Sequence, residues 1–372
     1  MTSADALFTP FTCRGMTIPN RIVMAPMTRS QSPGGVPTED VKNYYGRRAA
    51  ADVGLIVTEG TTVDRGGASN DPRVPNFHAP EALDAWGDVV EAVHKTEGAA
   101  IAPQLWHVGM VRKPGTGPVP EAVSDSPSGV THQGKEVQPV PTDSEVADMI
   151  AAFAKAAGDA SRLGFDAVEL HGAHGYLIDQ FFWSMMNRRD GKYGGETLTE
   201  RAAFAAEIIR GSRAAMNDDM PLILRFSQWK QQEYTARLAE TPQELEAFVT
   251  LLADAGVDIF HCSQRRWWEP EFPEIDGDEG LNLAGWTKKL SGKPTITVGS
   301  VGLSSDFIGS FGGEGSKTRP IADIVERVEK GEFDLVAVGR ALLQDADWAA
   351  KVKDGRHDEL RPFDAASLAT LS

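Results

Sequence analysis

Short unbroken apolar runs recur along the chain at residues 22–25, 55–58, 100–105, 167–170, 222–226, 258–262, 295–298 and 335–338. Runs of this length without polar alternation read as strands covered on both faces, the pattern of a parallel sheet. The segments between them carry helical periodicity. After Asp143, the residues Ile150, Phe153, Ala157 and Ala160 recur at spacings of three and four until Gly164 ends the helix and the fourth strand begins. Three of these helices open on the pattern of a reciprocal cap: Thr142 with Glu145, Thr197 with Glu200, and Thr241 with Glu244, the last with Pro242 at the first helical position. Eight strands alternating with returning helices close more naturally into a (β/α)8 TIM barrel than they fill an open sheet. No linker separates two folding units, so residues 1–372 read as a single α/β domain with extended βα loops.

Ahead of the first strand, the segment 11–20 contains the turn former Gly15 and then Pro19, the pattern of a short N-terminal hairpin plugging the barrel floor. Two Gly-rich excursions interrupt the alternation, 110–141 after the third strand and 304–320 after the seventh. Both fall on the rim where such barrels carry their active sites, and the first is expected to cap the pocket.

Charge and cysteine content narrow the partners. A formal net charge of −16 repels nucleic acid and anionic membrane surfaces, so any phosphate ligand needs a local basic patch. Cys13 and Cys262 are the only cysteines, too few for a disulfide framework or a Cys-ligated cluster. With no signal-like start and no apolar run of membrane-spanning length, the expected location is the cytoplasm.

In a (β/α)8 enzyme the strand C-terminal ends converge on one mouth, and the polar residues there are the candidates for chemistry. The first strand ends in Ala25, Pro26, Met27 and Thr28, and the third in Gln104, Leu105, Trp106 and His107. After the seventh and eighth strands come Gly299 with Ser300 and Gly339 with Arg340, where glycines admit a phosphate closely and an arginine adds permanent charge. The same glycines also satisfy a plain turn requirement. Arg225 lies inside an apolar run, which calls for an anion, an electron-rich ring system or a structural ion pair. Gln104 offers a donor beside an acceptor, suited to a heterocycle's amide edge or to capping a backbone group.

His171, His174 and Tyr176 follow the fourth strand within six residues. Two imidazoles can hold a carbonyl or nitro oxygen while it gains negative charge, and the tyrosine can deliver a proton. Zinc ligation competes, but Asp179, His107 and Glu169 give no recognised third-ligand spacing, so no metal is expected. The adjacent Trp267 and Trp268 wall a substrate pocket, cover a bound ring cofactor or pack a loop.

Taken in order, Asn20 through Arg29, Gln104 through His107, Glu169 through Tyr176 with Gln180 and Phe181, Asn187 through Asp190 with Tyr193, Gly194 and Gly195, Arg225 through Ser227, and Asp334 through Arg340 resemble the Old Yellow Enzyme family of FMN-dependent ene reductases. The resemblance implies non-covalent FMN held by Ala25, Pro26, Met27, Thr28, Gln104, Arg225, Gly299, Ser300, Gly339 and Arg340. Thr28 would meet the flavin O4, Gln104 the pyrimidine edge, and Arg225 N1 and O2. It implies NADPH or NADH as reductant and a ping-pong cycle in which the same pocket then admits an enone, enal, maleimide or nitro compound. His171 and His174 would bind the activating oxygen and Tyr176 would protonate the α carbon. Trp106 and Trp267 are further substrate-pocket candidates, although Trp267 and Trp268 have no counterpart in the family pattern. Thr28 stands where one branch of the family carries cysteine, and no Cys-rich segment of the iron–sulfur relatives follows the last strand. Two other classes fit the barrel: a metal-assisted hydrolase using His171 and His174, and a flavin-binding sensor without turnover.

Overall fold

The computed structural model describes residues 4–306, 309 and 316–372, so the excursion expected at 304–320 lies partly outside the described residues. An antiparallel hairpin, β1 (Phe11–Cys13) and β2 (Met16–Ile18), precedes eight barrel strands. These are β3 (Ile22–Met24), β4 (Leu55–Thr62), β5 (Ala100–Trp106), β6 (Val168–His174), β7 (Leu222–Lys230), β8 (Ile259–Ser263), β9 (Thr295–Val298) and β10 (Leu335–Val338). They pair in sequence order, and β10 closes the barrel against β3 in parallel register, Val336 opposite Ile22. This is a (β/α)8 barrel, as the apolar runs predict.

The interior below the mouth is filled by side chains. Val23, Leu55, Val57, Ile223, Ile259 and Ile296 pack with Phe11, Met16 and Ile18 of the hairpin. Small residues at Ala100, Ala102, Ala167 and Ala337 leave the room that the hairpin's larger side chains occupy, which is why the floor accepts a plug. Asp258 fastens the hairpin by pairing with Arg14 at 2.6 Å and with Arg213 at 2.6 Å.

Two of the three expected reciprocal caps form. Thr142 and Glu145, and Thr197 and Glu200, exchange both hydrogen bonds at the starts of the helices Asp143–Arg162 and Leu198–Arg201. At the helix Pro242–Ala255, Thr241 accepts from the Glu244 N–H, but the Glu244 carboxylate accepts from the Glu240 N–H at 2.7 Å instead of returning to Thr241.

The segment 110–141 does not cap the mouth: none of its residues lines the cavity described below. Asp125 holds it elsewhere, accepting from Arg65 at 2.8 Å through two nitrogens and meeting His107 Nε2 at 2.8 Å. A strap near the other end of the chain does reach the mouth. Around the turn Ala365–Ala369, the Arg29 guanidinium donates to the carbonyls of Ser367, Leu368 and Thr370, while Arg48 donates to Ser372 and Arg47 to Leu371. Among the described residues no helix is long and apolar enough to cross a membrane.

Candidate active site

At the C-terminal ends of the strands a cavity of about 490 Å³ opens, within the usual range of ligand pockets. Ala25, Pro26, Met27 and Thr28 reach it from beyond β3, Gln104 and Trp106 from β5, and His171, His174 and Tyr176 from β6 and the turn after it. Arg225 lines it from β7, Gly299 and Ser300 from beyond β9, and Gly339 and Arg340 from beyond β10. The structure thus brings together every sequence-derived site residue except one. Trp267 is in the core, 2% exposed, with its N–H donating to Gly299 O and its carbonyl accepting from Asn282. Its ring packs edge-on against Trp268, so that pair of tryptophans builds the loop and does not line the pocket.

His171, His174 and Tyr176 form one wall. The two imidazole centroids lie 5.2 Å apart, and the Tyr176 ring is 5.0 Å from both His171 and Trp106. Burial holds both histidines well below the ordinary imidazole range, and the Arg225 charge adds to the shift, so each is a neutral donor at neutral pH. Ala173 N donates to His171 Nδ1 at 3.4 Å, which puts the His171 proton on Nε2. His174 Nε2 meets Ser263 Oγ at 2.7 Å, and Arg225 donates to the same oxygen at 3.3 Å. Burial also raises the Tyr176 phenol, whose oxygen accepts from Gln231 at 3.2 Å, so the hydroxyl keeps its proton.

Beside this wall the strand ends carry polarity of another kind. Arg225 is buried at the base of the mouth, and its Nε has no hydrogen-bond partner among the described residues. Gln104 donates its amide N–H to Glu169 at 2.7 Å, leaving the amide oxygen as an acceptor, and Glu169 is fixed in turn by His261 at 2.6 Å. At the far end, Arg340 donates to Ser305 O, Asp306 O and Ser300 Oγ, and burial lowers it to about 10, still cationic at neutral pH. Gly299 adopts φ +140° and a Cβ there would stand 2.6 Å from Gln264 O, so the bare backbone of this rim is a steric requirement.

The sequence reading missed Trp229, Gln231, Tyr234, Ser263 and Leu368, all of which line the cavity. Trp229 stacks on His174 at 4.6 Å and 28°. A signal was present: Arg225, Ser227, Trp229 and Gln231 alternate at the strand period, so extending β7 past its apolar run would have nominated them.

Under the β3 loop sits Glu59, 1% exposed, accepting from the N–H groups of Arg29 at 2.8 Å and Ser30 at 3.3 Å. Burial pushes its carboxyl up to about 7. A folded value above the unfolded one means that this group's contribution is full below about 4.5 and is lost as pH rises through about 7. Glu59→Gln keeps an oxygen for both N–H groups and removes the charge. It should therefore stabilise the protein by roughly 1–3 kcal/mol at pH 8 and little at pH 5, read by thermal melts. An equal change at both pH values would contradict the titration.

A closed parallel barrel with a buried arginine, a histidine and tyrosine wall and a glycine and arginine rim defines a cofactor-dependent barrel enzyme. Over residues 6–359 the chain matches the NADH:flavin oxidoreductase / NADH oxidase family, and it belongs to that family, the one that contains Old Yellow Enzyme. It is 33% identical over 376 residues to an NADH oxidase of Thermoanaerobacter brockii, a match covering 100% of this chain and 54% of that protein. It is 31% identical over 361 residues to 12-oxophytodienoate reductase 7 of Oryza sativa subsp. japonica, covering 92% of this chain and 86% of the relative. Morphinone reductase in complex with tetrahydroNAD superimposes with a TM-score of 0.79 at 25% identity, covering 97% of this chain and 93% of that one. The chain thus spans about half the length of the NADH oxidase, 54%, and most of the other two. It is an NAD(P)H-dependent flavin oxidoreductase with FMN as cofactor.

Proposed function

We propose that the chain, acting as one FMN-binding unit over residues 1–372, reduces activated C=C bonds of α,β-unsaturated carbonyl or nitro compounds in a ping-pong cycle driven by NADH or NADPH. The observation that carries this reading is the wall formed by a neutral His171 imidazole with the neutral His174 imidazole 5.2 Å and the protonated Tyr176 phenol 5.0 Å from it. Neutral N–H donors suit an oxygen that becomes negative during the reaction, because they stabilise the developing charge without a prior ion pair to break.

The donor set also fits FMN. The Gln104 amide and the Arg225 guanidinium, with its unpartnered Nε, suit the oxygen and nitrogen edge of a heterocycle. Thr28 and the main chain of Ala25, Pro26 and Met27 would hold its other edge, and Gly299, Ser300, Gly339 and Arg340 its phosphate. Bound there, FMN supplies the centre that accepts hydride from the nicotinamide and passes it to the alkene. His171 and His174 orient the substrate's activating oxygen. Tyr176, with its proton retained by burial, gives that proton to the α carbon. Trp106 and Trp229 supply flat apolar surface against which the alkene can lie. Among the described residues no group of three or more His, Cys, Asp or Glu side chains is placed to hold a metal ion.

Anaerobic mixing of the FMN-loaded protein with NADPH or NADH should bleach the flavin absorbance, and subsequent 2-cyclohexenone should restore it. Bleaching without recovery in the presence of enones and nitroalkenes would favour a sensor. A protein that takes up no FMN would end the flavin reading.

A further inference from the structure

Behind the reacting wall lies an ion pair that faces neither cofactor nor substrate. Lys230 ends β7 and Asp179 lies in the short helix Leu177–Phe182; both side chains are fully buried, with Nζ and Oδ1 2.6 Å apart. The second oxygen of Asp179 accepts from the Gly175 N–H at 2.7 Å. Gly175 sits between His174 and Tyr176, the two residues that carry the proposed chemistry of this turn.

The turn itself is unusual. His174 and Gly175 are both left-handed, at φ +66° and +78°, and a Cβ at Gly175 would lie 1.9 Å from Gln232 Oε1. A left-handed backbone is uncommon for a residue with a side chain, histidine included, and is held here by its surroundings. Three ties do so here: His174 N donates to Ser227 Oγ at 3.0 Å, His174 pairs with Lys230 in the β6–β7 register, and Trp229 stacks on the imidazole. Asp179 closes the set by joining the turn's backbone to the end of β7 through Lys230. Burying two ions in this way contributes little net stability compared with an apolar pair of the same volume, so the pair's directionality is what the fold gains from it.

We infer that Asp179 and Lys230 are positioning residues that lock the left-handed His174–Gly175 turn onto β7, so that the His174 imidazole and the Tyr176 hydroxyl face the same cavity. This inference rests on the roles proposed above for His174 and Tyr176.

The test uses the FMN-loaded protein titrated with 4-hydroxybenzaldehyde, whose phenolic oxygen mimics the enolate, followed by flavin absorbance. His174→Ala should raise the Kd for this phenol. The charge-free double variant Asp179→Leu with Lys230→Met should retain FMN and melt below the wild type, because the Gly175 N–H loses its acceptor. Its phenol Kd should still rise roughly ten- to hundred-fold, the usual cost of small misplacement of a binding group. A wild-type Kd in the double variant, with His174→Ala weakened, overturns the positioning role alone. An unchanged Kd in His174→Ala overturns the assignment of His174 and the inference with it. Should the double variant not fold, Asp179→Asn decides: it keeps an oxygen for Gly175 N but loses the charged tie to Lys230. A raised Kd supports the inference and an unchanged one overturns it.

Discussion

Tyr176→Phe should slow reoxidation of the reduced protein by 2-cyclohexenone about 10²- to 10⁴-fold, the range expected when a positioned general acid is removed. Reduction by NADPH should keep its rate. The substitution removes one oxygen and leaves the ring, so the edge contacts with Trp106 and His171, each at 5.0 Å, are retained and the wall keeps its shape. What is lost is the hydroxyl that burial keeps protonated and that Gln231 steadies at 3.2 Å. Single-turnover absorbance traces of the two half-reactions separate the effects. Equal slowing of both would remove Tyr176 from the proton-donor role.

A second large effect is expected at Arg225. Its guanidinium is buried and donates to Ser263 at 3.3 Å, while Nε stays unpartnered among the described residues. Arg225→Met fills similar volume without charge. FMN affinity should fall roughly 10- to 100-fold, matching the loss of a hydrogen bond from a charged donor. The flavin's midpoint potential should become more negative, because a buried cation favours whichever cofactor state carries more negative charge. Arg225 also helps depress both histidines, so their protonation should move to higher pH in the variant. Fluorescence of released flavin and equilibration against a reference dye report the first two. Unchanged affinity and potential would reduce Arg225 to a structural role.

The barrel was legible because each strand core is an apolar run with no competing period. What escaped was the polar continuation of two strands. β4 runs on to Thr62 through Glu59 and Thr61, where the Glu59 N–H donates to Tyr45, Glu59 Oε2 accepts from Arg29 and Thr61 donates to Pro75, while Glu59 Oε1 has no partner among the described residues. β7 runs on to Lys230, a lysine that is buried only because Asp179 lies beside it. Partners 14 to 51 positions away lie outside any local pattern, so a polar residue ended each expected strand too early. The site followed the same rule. His171, His174, Tyr176, Gln104 and Arg225 stand at or near the ends of apolar runs and can be found there, whereas Trp229 and Gln231 stand past the apolar run that marks β7 in the sequence. Trp267 stands beyond the end of the sixth barrel strand, a position that suits a pocket wall as well as loop packing; its main chain bonds to Gly299 and Asn282 and its buried indole packs the loop. The segment 110–141 was assigned to the mouth by length and position, and Asp125, which fixes it to Arg65 and His107, could not be read from either.

The strap around Ala365–Ala369 is held by arginines that grip main-chain carbonyls, a form of attachment indifferent to which side chains the strap carries. Leu368 alone projects from that turn into the cavity lining. Anchorage and selectivity are therefore uncoupled. The wall can be recut at position 368 while the arginine latch, which holds only main-chain carbonyls, stays in place; because Leu368 also packs against the core, an apolar replacement is the one that would redirect substrate range and keep the strap seated.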